Sequence, residues 1–383
     1  MNNKNGKITS KNIIYSVLEG RKPERNPVAV PYVMLAHEDH WTELTGEPTW
    51  RFYEWLLKPE EHGKYYRAFD QKLPFDIFQP ARYRPGQDTT EFRENTEVVI
   101  KDGQPFFHFK KEDKYEKLAL ILHGADSVPN EEQFVFDKRN VNEQVKIESA
   151  ETQLARGQGD YIKACVQELW NERFILSGGI LNVFYLCSSY VGLTNLFLMI
   201  YDRPELIEYL SKKLLEQNIE RIRMLAASGG DAIYIDDAMA TCDMISPEMY
   251  ERYSLPYIKE EIKEIHRLGK KAVVIYFGGI SDRVDLIASS GADAMIMEAS
   301  MKGFTNDYED VSKKLAGKMC LFTNLNPYDD LEITSDEKLR KAVSEMAQKA
   351  KKCGKYVIST GSPVTPGTTL ERLNRFIELG HSA

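Results

Sequence analysis

The sequence contains few cysteines, and their placement restricts where the protein works. There are five among 383 residues, an odd number, and no two of them form a Cys-x-x-Cys pair. A disulfide-stabilised framework would need paired cysteines at closer spacing. The sequence therefore predicts reduced thiols and a cytoplasmic protein.

Long apolar runs and an excess of positive charge are also missing. No apolar run reaches the ~18 residues that a bilayer-spanning helix needs, and the first twelve residues lack the apolar core of a signal peptide. The formal net charge is -8, with lysines and arginines scattered among the acids. A nucleic-acid-binding protein would show a basic surface instead. We expect neither a membrane nor a nucleic acid as partner.

What the sequence does contain is a repeated strand-and-turn unit in its C-terminal half. Residues 270–279, KKAVVIYFGG, combine a short apolar strand with a double-glycine turn. Residues 229–241, GGDAIYIDDAMAT, and residues 291–300, GADAMIMEAS, are built in the same way, and helical stretches separate the three. Strands and helices that alternate at this spacing predict a parallel sheet covered by helices.

Eight strands can be counted along the chain, and eight is the number that closes a (β/α)8 TIM barrel. A helical lead-in, residues 9–19, precedes them. Residues 83–124 interrupt the rhythm with period-two alternation and an Asp102-Gly103 turn, which predict an antiparallel hairpin insertion. We expect a single α/β domain over residues 1–383. The predicted barrel strands are 28–35, 75–79, 174–177, 232–236, 272–276, 294–298, 319–323 and 356–359.

Polar and aromatic residues follow the predicted strands, at the end where such barrels build their active sites. Asp236 and Asp237 are either catalytic acids or groups that cap a helix or order a loop. Glu298, alone after an apolar run, is a candidate site carboxylate. Tyr276 either contacts the substrate or packs across the mouth of the barrel.

Two histidines and a cysteine leave further alternatives open. His37 and His40 form either a metal-binding pair or hydrogen-bonded loop histidines, and no second cluster of ligands accompanies them. Cys242 is a candidate low-pKa thiolate, although it lies several residues beyond its strand. Spacing alone indicates an enzyme that acts on a small molecule and has acidic residues at the mouth of its barrel. It does not indicate a more specific function.

Several segments of the chain resemble one superfamily in order and spacing. Residues 9–28 read TSKNIIYSVLEGRKPERNPV, residues 245–266 read ISPEMYERYSLPYIKEEIKEIH, and residues 357–373 read VISTGSPVTPGTTLERL. Together with LFTNLNPYDDL at residues 321–331, they resemble the uroporphyrinogen decarboxylase superfamily. The resemblance covers most of the chain outside residues 83–124, and it implies a (β/α)8 barrel.

One branch of that superfamily decarboxylates porphyrinogens and carries an arginine-rich loop, resembling RQAGRY, after the first strand. This chain has MLAHEDHW there, at residues 34–41, without an arginine. A substrate with eight carboxylates needs cationic partners, whereas the predicted rim is acidic. The resemblance therefore does not imply porphyrinogen decarboxylation.

The other branch resembles corrinoid-dependent methyltransferases. Its thiol-activating members hold zinc through His-x-Cys after strand five and a Cys after strand eight, positions that fall on Tyr276, Gly278 and Ser362 here. Glycine has no donor atom, and Tyr and Ser are poor zinc ligands. We expect no metal at this site and no tightly bound cofactor.

The resemblance then implies the substrate-specific methyltransferase of a corrinoid-dependent demethylation system. Such an enzyme passes a methyl group from a small methoxylated or N-methylated compound to a cobalamin that a corrinoid carrier protein presents. The leaving atom needs a general acid, for which the candidates are Asp236, Glu298, Tyr276 and His37. The predicted substrate-binding residues are Trp41, Gln79, Tyr83, Asp237, Phe277, Asn324 and Ser362.

Two other functions stay open at this point. One is a lyase or decarboxylase that acts on a different small substrate. The other is a ligand-binding barrel without catalysis. Superfamily members often dimerise, so a homodimer is an expectation, although no segment of the sequence marks an interface.

Overall fold

The computed structural model describes residues 8–81, 86–118, 132–301 and 303–383. Within these ranges, seven strands form a parallel sheet in the order β1-β5-β6-β7-β8-β9-β10, and three form an antiparallel sheet in the order β2-β3-β4. The strands are β1 (Ile77–Phe78), β2 (Thr96–Lys101), β3 (Gln104–Phe109), β4 (Lys114–Lys117), β5 (Phe174–Leu181), β6 (Ala232–Asp236), β7 (Lys271–Tyr276), β8 (Ala294–Met297), β9 (Cys320–Phe322) and β10 (Tyr356–Val357).

Helices follow most of the barrel strands and cover the parallel sheet. Short 3-10 and π segments lie at Pro59–Glu61 and Pro327–Glu332. The α-helices are α1 (Ser10–Leu18), α2 (Val33–Asp39), α3 (Trp41–Thr45), α4 (Arg51–Leu56), α5 (His62–Lys72), α6 (Thr90–Asn95), α7 (Lys138–Gln144), α8 (Ala150–Ala155), α9 (Asp160–Leu169), α10 (Val183–Val191), α11 (Leu193–Asp202), α12 (Pro204–Ser228), α13 (Pro247–Tyr253), α14 (Leu255–Arg267), α15 (Val284–Ala288), α16 (Tyr308–Leu315), α17 (Asp336–Cys353) and α18 (Leu370–Ser382).

The predicted first strand, residues 28–35, is mostly wrong. Only Val28 pairs in the sheet, through a parallel bridge to Ile358. Pro31 has no N–H to donate, Tyr32 adopts a left-handed conformation (φ 51°), and α2 begins at the next residue. In a continuous apolar run this short, the spacing of hydrophobic residues cannot distinguish a buried strand from a buried helix.

Val28 nevertheless closes the barrel. Its neighbour Ala29 donates its N–H to Ile358 O at 2.9 Å on one side, and Val28 O accepts from Asp76 N at 2.9 Å on the other. This chain segment therefore stands between β10 and β1, where the first strand of the predicted barrel belongs. The (β/α)8-type fold is confirmed.

Asp76 holds this closure together electrostatically. Its carboxylate accepts two hydrogen bonds from the Arg25 guanidinium (2.6 and 2.7 Å), one from Val28 N (2.8 Å) and one from His381 Nε2 (3.1 Å). Burial acts to raise the pKa of Asp76, but the bonds from Arg25 and His381 outweigh it and hold that pKa well below its usual range. One side chain thus ties the first barrel segment to the C-terminal helix.

In the described part of the predicted insertion, residues 86–118, the antiparallel hairpin is confirmed and a third strand extends it; residues 83–85 and 119–124 lie outside the described residues. β2 and β3 pair over their full length around Asp102 and Gly103, which both have positive φ (49° and 75°). That geometry is typical of a two-residue hairpin turn. β4 then pairs with β3 on its other edge.

The segment after β5 also differs from its prediction. The strand was expected to end at residue 177, but it continues to Leu181 with a register shift between Leu176 and Gly179. The predicted helical stretch then divides into α10 and α11, which are bent by 104° at Gly192. Among the described residues no single helix is long and apolar enough to cross a bilayer; α10 and α11 reach that composition only as a bent pair.

Two apolar clusters, one inside the barrel and one between barrel and helices, show to which face of the sheet each strand residue points. Val273 and Ile275 of β7 belong to a cluster inside the barrel, whereas Val274 and Tyr276 belong to the larger cluster between barrel and helices. Successive side chains of a strand point to opposite faces. The last residues of each strand can therefore be assigned to the mouth or to the helix layer.

Replacing Asp76 by Asn should lower the free energy of unfolding by about 3 kcal/mol, the low end for removing one partner of a buried ion pair, because the remaining Arg25 is partly exposed. Urea unfolding at pH 7 measures this change. The matched control is Glu216→Gln, which breaks an exposed pair with Lys213 and should change stability by less than about 1 kcal/mol. Equal effects of the two variants would contradict the role of Asp76.

The same carboxylate makes stability depend on pH in a defined direction. The folded pKa of Asp76 is depressed, so its contribution is complete above the unfolded value of about 4 and is lost as the pH falls below it. The stability difference between the wild type and Asp76→Asn should accordingly shrink between about pH 5 and pH 2. A difference that is constant over this range would exclude the ion pair as its cause.

Candidate functional site

The mouth of the barrel is built from inward-facing residues at the ends of adjacent strands. In β6, Ala232 lies in the inner cluster and Tyr234 packs against it, so Asp236 follows on the same face. Phe277, directly after β7, also packs against the inner cluster. Glu298 follows β8 at the corresponding place. These strand ends present two carboxylates and two aromatic rings to one opening.

Tyr32 lies over this opening and is hydrogen-bonded to Asp236. Its hydroxyl donates to Asp236 Oδ2 at 2.5 Å, while Asp236 Oδ1 accepts from Ala238 N at 3.1 Å. Burial raises the pKa of Asp236 against these two hydrogen bonds. Burial and the charge of Asp236 raise the pKa of Tyr32 well above its ordinary value. Both groups therefore retain protons more strongly than they would in water.

Aromatic rings surround this pair. The Tyr32 ring meets Tyr234 edge-on at 5.5 Å between centroids and Phe277 at 5.7 Å. Burial raises the pKa of Tyr185 on α10, and the nearby charge of Asp236 raises it further. Gly179 must lack a side chain, since a Cβ there would lie 2.0 Å from the Tyr234 ring. The mouth is thus an aromatic-walled acid site.

The other side of the mouth is formed by Glu298 and the loops after β9 and β10. Ser362 Oγ donates to Glu298 Oε1 at 3.4 Å. Asn324 Nδ2 donates to the backbone carbonyls of Glu298 (3.3 Å) and Asn306 (2.9 Å). A Cβ on Gly361 would lie 2.3 Å from the Ala299 nitrogen. The predicted residues Glu298, Asn324 and Ser362 are therefore brought together by close loop packing.

Gln79 occupies the inward position after β1. Its Oε1 accepts from Val33 N at 3.0 Å, which joins the end of β1 to the start of α2. Its Nε2 is buried and has no hydrogen-bond partner among the described residues. The structure thus shows one hydrogen bond for the side chain of this predicted substrate-binding residue, through Oε1.

Two of the predicted site residues point away from the mouth. Tyr276 is fully buried in the helix layer, where its hydroxyl lies 2.7 Å from that of Tyr250. Asp237 accepts from Asn182 Nδ2 (2.7 Å) and Ser254 Oγ (2.8 Å). Burial raises the pKa of Asp237 to about 7, although these two hydrogen bonds act to lower it. Both side chains therefore bind groups outside the barrel and hold the ends of β6 and β7 against the surrounding helices.

The histidines and Trp41 also lie in the helix layer. His37 belongs to α2, stacks on Phe69 at 4.6 Å and is neutral at physiological pH because burial lowers its pKa to about 3. Trp41 is buried among aromatic rings and donates Nε1–H to Pro48 O at 3.1 Å. His40 Nε2 lies 2.8 Å from the Thr368 carbonyl. The predicted residue Tyr83 falls outside the described residues.

The arrangement does not fit a zinc site at the position expected from the resemblance. Tyr276 points into the helix layer, and a Cβ on Gly278 would lie 2.4 Å from Thr241 Oγ1 and 2.7 Å from Asp243 Oδ1. Burial also raises the pKa of the Cys242 thiol, which disfavours its thiolate. In the ranges that the structure covers, no group of three or more His, Cys, Asp or Glu side chains could hold a metal ion.

Sequence reasoning missed three aromatic residues of the mouth. Tyr234 could have been found, because it shares the inward face of β6 with Asp236 by period-two alternation. Tyr32 was assigned to a strand, and Tyr185 to an apolar helix, so neither pattern indicated an approach to Asp236.

Comparison with known proteins adds the family context. A model of the uroporphyrinogen decarboxylase (URO-D) family matches residues 121–383. The chain is 26% identical over 184 residues to chloroplastic uroporphyrinogen decarboxylase 2 of Oryza sativa subsp. japonica, covering 47% of this chain and 44% of that protein. The Arabidopsis thaliana protein of the same name is 25% identical over 231 residues, with 58% and 55% covered. The chain thus spans about half the length of these curated relatives.

A solved structure is similar over nearly the whole chain. A methyltransferase from Methanosarcina mazei superposes with a TM-score of 0.69, covering 98% of this chain and 99% of that one at 16% sequence identity. At this level of identity the likeness shows the shared fold.

Replacing Tyr276 by Phe should lower the free energy of unfolding by about 1–2 kcal/mol, because the buried Tyr250 hydroxyl loses its partner. Thermal or urea unfolding measures this loss. The free energy of unfolding is compared with that of Tyr234→Phe, which changes a tyrosine at the mouth. If Tyr276→Phe leaves stability unchanged, the hydroxyl pair is not structural.

Restoring the three expected zinc ligands in one variant, Tyr276→His, Gly278→Cys and Ser362→Cys, should not create a stoichiometric zinc site. The reason is that position 276 faces the helix layer and a side chain at 278 meets Thr241 and Asp243. Metal analysis after dialysis measures the outcome, and Gly278→Ala alone controls for the steric cost of about 1–3 kcal/mol. One tightly bound zinc per chain would contradict this assignment of side-chain directions.

Proposed function

The chain belongs to the uroporphyrinogen decarboxylase family, and we propose that it acts as the substrate-specific methyltransferase of a corrinoid-dependent demethylation system. It would take the methyl group from a small methoxylated or N-methylated compound. The acceptor would be a cobalamin presented by a corrinoid carrier protein. The observation that carries this proposal is the buried Tyr32–Asp236 pair within an aromatic-walled mouth.

Demethylation of an ether or amine needs a proton at the leaving atom. When the carbon–oxygen or carbon–nitrogen bond breaks, its electron pair stays on the oxygen or nitrogen, and protonation makes that atom a better leaving group. The cobalamin of the carrier supplies the nucleophile that accepts the methyl group. The barrel must supply the proton and hold the methyl group toward the opening.

Asp236 is the residue of the pair that is suited to give this proton. Burial raises the pKa of its carboxyl toward the working pH, whereas the phenol of Tyr32 is moved further from it. The Tyr32 hydroxyl fixes one carboxyl oxygen, which directs the group, and stabilises the carboxylate that remains after transfer. Glu298, held by Ser362, provides a second carboxyl group on the opposite side of the mouth.

The composition of the mouth favours a small neutral substrate over a polycarboxylate. Among the described residues, its side chains are tyrosine, phenylalanine, glutamine, asparagine, serine and two acids, without lysine or arginine. A porphyrinogen would require cationic partners for its carboxylates. Arg82, Arg84 and Lys302 lie outside the described residues. A zinc-free reaction forms part of the proposal and is supported by the packing at Gly278.

The function can be tested with purified protein, a reduced corrinoid carrier and a panel of methoxylated aromatic and N-methylated compounds. The change in cobalamin absorbance on methylation is the measurement, and the demethylated product confirms it. A parallel incubation with uroporphyrinogen tests the lyase alternative. Consumption of uroporphyrinogen, with no methyl transfer across the panel, would overturn the proposal.

Replacing Asp236 by Asn should lower the rate of methyl transfer about 100-fold or more, which is the usual contribution of a general acid. Glu216→Gln is the control, because it breaks only an exposed ion pair with Lys213, and its rate should equal that of wild type. An equal loss in both variants would mean that the effect is structural.

The pH profile separates proton donation from simple binding. If Asp236 acts as an acid, the rate should fall as the pH rises through its raised pKa. Tyr32→Phe removes a hydrogen bond that stabilises the carboxylate, so it should move this alkaline limb to higher pH. An unmoved or acid-shifted limb would exclude Asp236 as the titrating acid.

A further inference from the structure

The antiparallel sheet of the insertion ends in an edge strand. β4 (Lys114–Lys117) pairs with β3 on one side, and no described strand lies on its other side. All four residues of β4 are exposed. Such an edge presents backbone N–H and C=O groups that another strand can bind. It lies in the part of the chain to which the resemblance does not extend.

The register of β3 and β4 fixes which backbone groups point outward. Leu118 N donates to Pro105 O at 2.9 Å, so these two residues form a hydrogen-bonded pair. Along antiparallel strands such pairs alternate with pairs that exchange no hydrogen bond. Lys114 and Glu116 are in phase with Leu118 and also bond to β3. Tyr115, between them, directs its N–H and C=O groups to the outer edge.

The charges along β4 make this edge complementary to itself in one register. A second copy that pairs antiparallel with it must be centred on one residue, since outward groups then meet outward groups. A centre at Lys114 or at Glu116 places like charges opposite each other, which destabilises strand pairing. A centre at Tyr115 instead places Lys114 of each copy opposite Glu116 of the other. Lys117 then lies opposite Asp113, so every charged pair has opposite signs.

We propose that β4 is a dimerisation strand, along which two copies of this chain pair antiparallel with Tyr115 on the twofold axis. The three strands of each copy then form one continuous sheet. A twofold dimer requires a surface that is complementary to itself, and the alternating charges of β4 meet that requirement. This inference goes beyond the proposed function and does not depend on it.

The side chains of the sheet hold this edge in shape. His108 of β3 stacks on the Tyr115 ring with 4.4 Å between centroids, and its Nε2 lies 3.0 Å from Asp113 Oδ1. Lys101 Nζ lies over the same tyrosine ring. An edge that is already ordered loses less conformational entropy on pairing. Because four residues bury less than the ~1,000 Å² typical of a stable interface, we expect a weak dimer that depends on concentration.

The test is sedimentation velocity of the full-length chain, from about 1 to 300 μM at an ionic strength of about 0.05 M. We expect a reversible equilibrium between monomer and dimer that shifts toward monomer at about 1 M salt, because salt screens the charged pairs. A chain that is monomeric at every concentration would overturn the proposal. The charges of β4 would then serve only to keep other strands away.

Charge reversal tests the register. Lys114→Glu places acid opposite acid twice in each dimer and should weaken dimerisation at least about tenfold, and Glu116→Lys should do the same. The double variant exchanges the two signs and should return to within about threefold of wild type. Lys212→Glu makes the same charge change at an exposed position of α12 and should have no effect. A double variant as weak as the single ones would overturn the register.

A proline variant tests backbone pairing. Tyr115→Pro removes only an outward N–H, since edge strands tolerate proline where the N–H faces away from the sheet. It should abolish the dimer and leave the folded monomer intact, which circular dichroism checks. Tyr115→Val loses the same ring but keeps the N–H, and should still dimerise. Equal behaviour of the two variants would mean that β4 does not pair through its backbone, and the inference would be wrong.

Discussion

The alternation of side chains along a parallel strand governs how this barrel divides its polar residues. Asp236 and Asp237 are adjacent in sequence, yet one is hydrogen-bonded to Tyr32 at the mouth and the other to Asn182 and Ser254 behind the strand. Tyr276 and Phe277 divide in the same way. A one-residue step at the strand end thus separates a group available to substrate from a group that supports the strand.

Much of the fold could be predicted from sequence because these strands are short apolar runs with clear boundaries. From residue 232 onward every predicted strand has a counterpart, and glycines and helix caps mark the connections between them. The prediction for the first barrel segment was wrong because its apolar residues are buried throughout, whether they lie in the bridge at Val28, in the turn that follows or in α2. What excludes a strand there is Tyr32, whose left-handed backbone is fixed by contacts with Tyr234, Phe277 and Asp236. Contacts that distant in sequence leave no local pattern.

The candidate site could be predicted only in part, for a related reason. The residue types at strand ends were visible, but the direction of each side chain depends on where the strand begins. KKAVVIYFGG indicated a strand and a turn, and the resemblance indicated the usual zinc position. The structure adds that Gly278 is packed against Thr241 and Asp243, with Gly279 N bonded to Asp243 Oδ1 at 2.9 Å. The 241–243 loop fills the space that a metal-ligating side chain at 278 would need.

The polar residues behind the strands explain how the mouth retains its geometry. Arg283 is fully buried and donates to the carbonyls of Ala240 and Ile245, which fixes the loop after β6. The Tyr250–Tyr276 pair and the bonds of Asp237 join the ends of β6 and β7 to the helices outside. Buried polar groups with satisfied hydrogen bonds resist displacement. The mouth therefore combines a rigid floor, which carries Asp236, with Tyr32 on the less regular segment that closes the barrel. Asp236 thus sits on a part of the barrel that is held from behind, and its carboxylate is fixed from the front by the Tyr32 hydroxyl and by Ala238 N.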